Sequence, residues 1–169
     1  PGTDLAADLA DASFRALAAL SPVPVVNLES AIDHPCQALA DWKTLDDLGV
    51  ARHGKLVLSW ANHPKALPLA VPAAVLRMAA LRGMEVTFLR PEAYALPAPL
   101  LAEARSLAAG AGGSVRETDD RPAALDNDAQ VVRVLLKGGR LVEPLVTPVA
   151  PSTTSRIRAG RRVKVSGLP

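Results

Sequence analysis

From Lys55 onward, short apolar segments alternate with longer amphipathic ones, and no other feature of the sequence constrains the fold as strongly. The apolar segments are rich in β-branched residues and end in turn-forming residues, which is typical of buried strands. The predicted strands are 55–60, 85–89, 114–117 and 130–136, and the predicted helices between them are 68–82, 97–109 and 122–128. This alternation predicts an α/β fold, a parallel sheet with helices on both faces.

The residues before this alternation predict three further elements. Apolar spacing favours one helix over residues 5–20, and the apolar run 23–28 favours a short buried strand. A second helix is expected from Pro35 to about Leu48, because proline suits the first helical position and Gly49 suits the end of a helix. We interpret this region as the end of one α/β unit, whose last helix leads into the next unit.

These breaks divide the sequence into three parts. Residues 1–49 form the incomplete first unit, and residues 50–147 form an incomplete second α/β unit. Near the end of the second unit, the pair Gly138–Gly139 predicts a hairpin turn into an apolar segment at 141–146. Residues 148–169 form an irregular basic tail.

The net charge of +2 conceals two regions of opposite charge. Up to Val132 the chain has 11 Lys and Arg against 16 Asp and Glu, whereas from Arg133 it has 8 against 1. A basic tail is typical of proteins that bind nucleic acids or acidic membranes, but no aromatic residue follows Tyr94 to stack on bases. No apolar run approaches the roughly 20 residues of a membrane span. We therefore expect no nucleic-acid partner and no membrane partner.

Composition favours a folded protein of a reducing compartment. Apolar residues make up 49% of the chain, which is enough to form a core. The single cysteine, Cys36, cannot form an internal disulfide, and no secretory leader pattern is present. We therefore expect a cytoplasmic location.

Reactive side chains follow the predicted strands 23–28 and 55–60 at their carboxyl ends. Parallel α/β sheets bind ligands at these ends. His34 and Gln37 lie three residues apart at a predicted helix start, so their side chains can converge on one small polar group. An imidazole and an amide there suit a carbonyl oxygen and an amino group, and the free N–H groups of the first helical turn favour an anion. The alternative is that His34 only caps the helix and that Gln37 is solvated.

Three further residues allow two interpretations each. Lys65 can bind a carboxylate or acyl group, or it can be a solvated lysine. Glu29 can bind an amine, or it can be a solvated loop carboxylate. Cys36 is more consistent with a buried or site-lining thiol than with a nucleophile, because nothing nearby in the sequence supplies both a clear base and a group that orients it.

The sequence gives no signal for a metal ion or a cofactor. His34, His53 and His63 form no closely spaced ligand pair. Gly110, Gly112 and Gly113 follow a predicted helix rather than a strand, so they do not form a dinucleotide-binding fingerprint. We therefore expect no metal and no cofactor.

Two segments carry a resemblance to a known family. The sequence His-Pro-Cys-Gln at residues 34–37, followed by Ala-Leu-Ala-Asp, resembles the signature of the carbamoyltransferases. Leu-Ser-Trp at 58–60, with His-Pro-Lys at 63–65 and Leu-Ala-Val-Pro at 69–72, resembles the N-acylornithine branch of that family. The resemblance covers about residues 4–132.

The resemblance implies a fold and a reaction. It implies that residues 1–49 are the end of a carbamoyl-phosphate-binding domain with its connecting helix, and that residues 50–147 are most of a Rossmann-like amino-acid-binding domain. The implied reaction transfers the carbamoyl group of carbamoyl phosphate to the δ-amine of N-acetylornithine in arginine synthesis. Ornithine and N-succinylornithine are the alternative acceptors. Family members are homotrimers that use no metal.

The resemblance also implies roles for individual residues. His34 would be catalytic, because it would bind the carbamoyl oxygen and stabilise the oxyanion that develops on it. Gln37 would hold the carbamoyl amine. Pro35 and Cys36 would complete the carbamoyl phosphate site. The residues that would contact the amino-acid substrate are Glu29, His63 and Lys65.

The sequence departs from the family pattern in three places. It contains neither the family's Ser-x-Arg-Thr phosphate motif nor its His-Cys-Leu-Pro motif, and residues 133–137 differ from the expected continuation. We therefore expect an incomplete chain that is inactive on its own. A hypothesis of another class stays open, in which the chain is a non-catalytic α/β binding module whose basic tail contacts polyanions.

Overall fold

A computed structural model describes residues 4–60, 69–91, 95–125, 131–135 and 145–146. The helices within these ranges are α1 (Leu5–Leu9), α2 (Ala12–Ala19), α3 (Pro35–Asp47), α4 (Ala70–Leu81), α5 (Ala98–Gly110) and α6 (Arg121–Leu125). The strands are β1 (Lys55–Trp60), β2 (Glu85–Leu89), β3 (Ser114–Thr118), β4 (Val131–Leu135) and β5 (Leu145–Val146). The basic tail at 148–169 lies outside the described residues.

The strands form one sheet in the order β3-β2-β1-β4-β5. The first four strands are parallel to their neighbours, with Lys55 opposite Glu85 and Glu85 opposite Ser114. The last strand, β5, pairs with β4 in the antiparallel direction, as a hairpin requires, although the predicted turn at 138–139 lies outside the described residues. The predicted α/β class is confirmed.

The sheet buries apolar side chains on both faces, because successive strand residues point to opposite sides. One face carries the larger core, which includes Phe88 and packs against α3, α4 and α5. On the opposite face, Val57 and Leu89 pack against Ala124 and Leu125 of α6. The prediction of helices on both faces is therefore confirmed. No helix within the described ranges is long and apolar enough to cross a membrane.

The predicted helix at 5–20 is two helices, and the prediction of one helix was wrong. Asp11 separates α1 from α2 with a left-handed backbone, φ 53° and ψ 35°. Aspartate tolerates this conformation better than most residues do. The carboxylate of Asp11 accepts a hydrogen bond from the backbone N–H of Ala31 at 3.2 Å, so the break also fastens the loop that precedes α3.

The predicted buried strand at 23–28 is neither a strand nor buried. Val23, Val26 and Leu28 are 65%, 71% and 66% exposed. A strand exists only when its backbone pairs with a neighbour, and no strand of the described residues lies beside this segment. β-branched composition therefore gave the propensity for a strand without the partner that a strand needs.

The C-terminal end of α3 is fastened to the end of α4 through Arg82. Its side chain is 1% exposed, Nη1 donates to Oδ1 of Asp46 at 2.6 Å, and Nη2 donates to the carbonyl of Val50 at 2.6 Å. The guanidinium also lies 5.6 Å from the ring centroid of Trp42, within range of a cation–π contact. The hydrogen bond from Arg82 lowers the pKa of Asp46 below its ordinary value of 3.8.

A glycine turn connects α4 to β2. Gly83 has φ 77°, and a Cβ atom placed on it would lie 2.5 Å from the carbonyl oxygen of Ala111 and 2.8 Å from Nδ1 of His53. The turn therefore needs glycine both for its backbone conformation and for its close contacts. Together with Arg82, this turn sets α3 and α4 against the sheet. Three residues of α3 pack in the larger core, namely Ala38, Trp42 and Leu45. The domain boundaries at residues 49 and 147 stay a prediction.

Candidate active site

His34 lies at the N-terminus of α3 and caps the helix. Its backbone has φ −138° and ψ 70°, outside the helical region, and its Nδ1 accepts a long hydrogen bond of 3.4 Å from the N–H of Gln37. Pro35 occupies the first helical position, where a missing N–H has no cost. The capping interpretation of His34 therefore holds, but capping uses only one of the two ring nitrogens.

The contact at Nδ1 favours one tautomer of His34. A neutral imidazole has one donor nitrogen and one acceptor nitrogen, so a ring that accepts at Nδ1 carries its proton at Nε2. The side chain is half-buried. Its Nε2–H is the kind of donor that a carbonyl oxygen or a developing oxyanion needs.

Gln37 is half-buried and is held by a contact within its own helix. Its Nε2 donates to Oδ1 of Asp41 at 3.0 Å, one turn further along α3. The amide is therefore held by its own helix. Its NH₂ group faces Asp41, and its carbonyl oxygen faces away from that carboxylate.

The loop before α3 holds His34 from its other side. Oδ1 of Asp33 accepts from the backbone N–H of His34 at 2.9 Å, and the carbonyl of Asp33 accepts from the N–H of Ser30 at 2.8 Å. Arg77 of α4 reaches the same loop, where its Nη1 donates to the carbonyl of Ile32 at 2.8 Å and lies 3.6 Å from Oδ1 of Asp33. Arg77 thus connects α4 to the loop that leads into the cap.

Glu103 of α5 orients Arg77 for this contact. Its carboxylate accepts from Nε of Arg77 at 3.1 Å on both oxygens and from Nη2 at 2.8 Å. A planar guanidinium suits such a forked arrangement, and the side chain of Arg77 is only 17% exposed. Three nitrogens of one residue therefore connect α5, α4 and the loop before α3.

Cys36, in the first turn of α3, and Glu29, in the segment before α3, are both exposed. Sγ of Cys36 lies 3.9 Å from the carbonyl oxygen of Asn27, and its exposure excludes the buried thiol that the sequence allowed. Within the described part of the chain, no hydrogen bond or ion pair joins Glu29 to His34 or Gln37.

The chain is similar to known carbamoyltransferases in both sequence and fold. Over 121 residues it is 39% identical to N-acetylornithine carbamoyltransferase of Xanthomonas campestris pv. campestris, which covers 69% of this chain and 35% of the relative. A crystal structure of acetylornithine transcarbamylase complexed with acetylcitrulline matches with a TM-score of 0.71 and 36% identity, over 78% of this chain and 40% of that one. The matched segment belongs to the carbamoyltransferase family.

A second carbamoyltransferase sequence and a second transcarbamylase structure are also similar to the chain. Over 82 residues, the chain is 34% identical to N-succinylornithine carbamoyltransferase of Bacteroides fragilis, over 48% of this chain and 26% of the relative. A variant N-acetyl-L-ornithine transcarbamylase complexed with carbamyl phosphate and N-succinyl-L-norvaline has a TM-score of 0.71 and 36% identity, over 78% of this chain and 40% of that one. No family model matches the chain. The chain spans about a third of the length of the curated relatives it matches.

Two of the predicted substrate-binding residues of this carbamoyltransferase segment lie outside the described residues. His63 and Lys65 belong to 61–68, outside the described residues. The structure brings His34, Pro35, Cys36 and Gln37 together on one helical turn, with the roles implied by the resemblance still predictions. Within the part of the chain that the structure describes, no group of three or more His, Cys, Asp or Glu side chains could hold a metal ion.

Sequence reasoning missed two residues that hold the cap in place, Asp33 and Arg77. Asp33 directly precedes His34, and an aspartate before a capped helix is a signal that could have identified it. Arg77 carried no such signal, because it lies 45 residues from the carbonyl that it contacts.

Proposed function

We propose that this chain recognises the carbamoyl group of carbamoyl phosphate in a carbamoyltransferase that acts on the δ-amine of N-acetylornithine. The relatives' names support this reaction and this acceptor. The observation that carries the proposal is the cap at α3, because it provides a donor at Nε2 of His34 three residues before an amide held by Asp41. A carbamoyl group presents a matching acceptor oxygen and a donor NH₂ group.

The proposed reaction needs positioning and electrostatic stabilisation rather than a covalent intermediate. The δ-amine attacks the carbamoyl carbon, the bond from that carbon to the phosphate oxygen breaks, and the proton lost by the amine leaves on the phosphate. Negative charge develops on the carbamoyl oxygen during the attack. Nε2–H of His34 stabilises that charge, while the carbonyl oxygen of Gln37 accepts from the carbamoyl NH₂.

The acceptor side of the proposal rests on the resemblance. Glu29, His63 and Lys65 are proposed to contact the amino-acid substrate, and Pro35 and Cys36 to line the carbamoyl phosphate site. N-succinylornithine is an alternative acceptor, which the similarity to an N-succinylornithine carbamoyltransferase supports, and ornithine is a second one. We further propose a cytoplasmic homotrimer as the working form, with residues 1–49 and 50–147 belonging to its two domains.

The experiment that tests this proposal measures carbamoyl phosphate binding by calorimetry. The wild-type chain is compared with His34→Ser, which keeps an oxygen that can cap α3 but removes the imidazole donor. We expect at least about a tenfold loss of affinity, since a lost hydrogen bond to a buried polar group costs about 1–3 kcal/mol. His53→Ser is the matched control, because His53 lies against Gly83 rather than at the cap. Equal affinity in wild type and His34→Ser would contradict the proposal.

A companion assay addresses turnover. None of the 169 residues forms the family's Ser-x-Arg-Thr phosphate motif, so we expect the chain alone to give no measurable N-acetylcitrulline from carbamoyl phosphate and N-acetylornithine. Product formation by the purified chain would overturn that expectation.

A further inference from the structure

The hydrogen bond from Gln37 to Asp41 bears on which substrate the candidate site selects. Nε2 of Gln37 lies 3.0 Å from Oδ1 of Asp41, four residues further along α3, and both side chains are half-buried. The two residues are neighbours on one helix face, so the contact does not depend on the arrangement of distant parts of the chain.

Asp41 can hold only one end of the Gln37 amide. An ionised carboxylate has hydrogen-bond acceptors and no donor, whereas a glutamine amide has a donor end and an acceptor end of nearly the same shape. The NH₂ end must therefore face Asp41. The carbonyl end then faces the other way, and the amide cannot turn over without placing two acceptors against each other.

This orientation complements the tautomer of His34. The cap leaves His34 with a donor at Nε2, and Asp41 leaves Gln37 with an acceptor at Oε1. A ligand that presents an acceptor and a donor on one carbon, as a carbamoyl group does, fits both. An acetyl group presents the same acceptor but has a methyl group in place of the donor, so it loses the contact with Gln37.

We propose that Asp41 is a positioning residue that makes the site select a carbamoyl group over an acetyl group, by fixing the direction of the Gln37 amide. This inference rests on the proposed function. Without Asp41 the amide turns freely and presents its NH₂ group to the ligand part of the time, which places donor against donor and weakens carbamoyl binding. Binding of an acetyl group does not depend on that direction.

The first test compares carbamoyl phosphate with acetyl phosphate on the 169-residue chain. We expect the wild type to prefer carbamoyl phosphate, and Asp41→Ala to reduce that preference about tenfold, with acetyl phosphate affinity unchanged. The matched control is Asp47→Ala, on the same helix, where Asp47 is exposed and pairs with exposed Lys43. A preference that Asp41→Ala leaves unchanged, or an equal loss for both phosphates, would overturn the proposal, because a merely structural role weakens both.

The second test needs no ligand. In ¹⁵N-labelled chain, we expect the side-chain NH₂ resonances of Gln37 to shift in Asp41→Ala and to stay in place in Asp47→Ala. Resonances that are identical in wild type and Asp41→Ala would show that Asp41 does not hold the amide and would overturn the proposal. If wild type binds neither phosphate, the proposed function fails by itself, while the NMR result still decides the role of Asp41.

Discussion

At the scale of single residues, Arg77 connects α4 and α5 to the loop before the cap through three of its nitrogens. Its Nε and Nη2 donate to Glu103, and its Nη1 donates to the carbonyl of Ile32. Glu103 binds one edge of the planar guanidinium and Ile32 binds another, an arrangement that a lysine ammonium cannot reproduce. Arg77 therefore determines where the loop before His34 lies relative to α4 and α5.

Arg77→Lys should destabilise the chain by about 1–2 kcal/mol, because it removes the forked hydrogen bonds of a largely buried cation. Urea denaturation measures this loss as a lower midpoint. Arg105→Lys is the matched control, since Arg105 makes one 3.2 Å contact with Glu117 and its side chain is 52% exposed. The control should change stability by less than about 0.5 kcal/mol. Equal effects of the two substitutions would refute this role of Arg77.

The lowered pKa of Asp46 gives a second expectation at this scale. Since its folded-state pKa lies below the ordinary value of 3.8, its contribution to stability is fully present above that pH. The contribution is lost as the pH falls through the lower folded-state pKa. Asp46→Asn should therefore be less stable than wild type at pH 7, with the difference narrowing in acid below pH 3.8. Urea midpoints of wild type and variant, measured at pH 7 and again below pH 3.8, test this, and Asp47→Asn measured in the same way is the control. A difference independent of pH would contradict it.

Sequence alone gave the residues of the cap but not what holds them. His34 and Gln37 were predicted from their spacing, because the first turn of a helix brings such positions together. The donor that remains at Nε2 of His34 could not be predicted, since it depends on the Nδ1 contact. Arg77 was missed because its contact joins residues far apart in the sequence.

At the scale of elements, the α/β alternation was predicted well and the first thirty residues were not. The bounds of β1 and β2 agree with the apolar segments, because those strands are central, buried and paired on both sides. The segment 23–28 has a similar composition but no partner strand among the described residues. The break between α1 and α2 depends on one left-handed residue, Asp11, which apolar spacing does not reveal.

The turn at Gly83 yields an expectation for this scale. Gly83→Ala should cost more than Gly49→Ala, although both glycines have similar positive φ values of 77° and 68°. Both pay about 1–2 kcal/mol for the left-handed backbone, but a Cβ at Gly83 lies 2.5 Å from the carbonyl oxygen of Ala111, whereas one at Gly49 meets nothing within 4 Å. Thermal unfolding of both variants measures the difference. Equal losses would show that the close contact relaxes without cost.

At the scale of the whole molecule, the described residues divide unevenly between core and surface. Leu45 is the first buried apolar residue along the described chain, and most others lie in the α/β layer. Before it, Leu20, Val23 and Val26 are more than 60% exposed. The described residues before α3 therefore contribute little to the core.

Arg77 of α4 and Arg82, directly after α4, contact the two ends of α3. Arg77 donates to the loop that precedes α3, and Arg82 donates to Asp46 near the C-terminal end of α3. Both ends of α3 are therefore hydrogen-bonded to α4 or to the residue that follows it. A 13-residue helix is about 20 Å long, and a tilt of only about 3° around one end would carry the other by roughly 1 Å. We expect these contacts at both ends to limit such tilting, so that the imidazole of His34 keeps its position relative to α4.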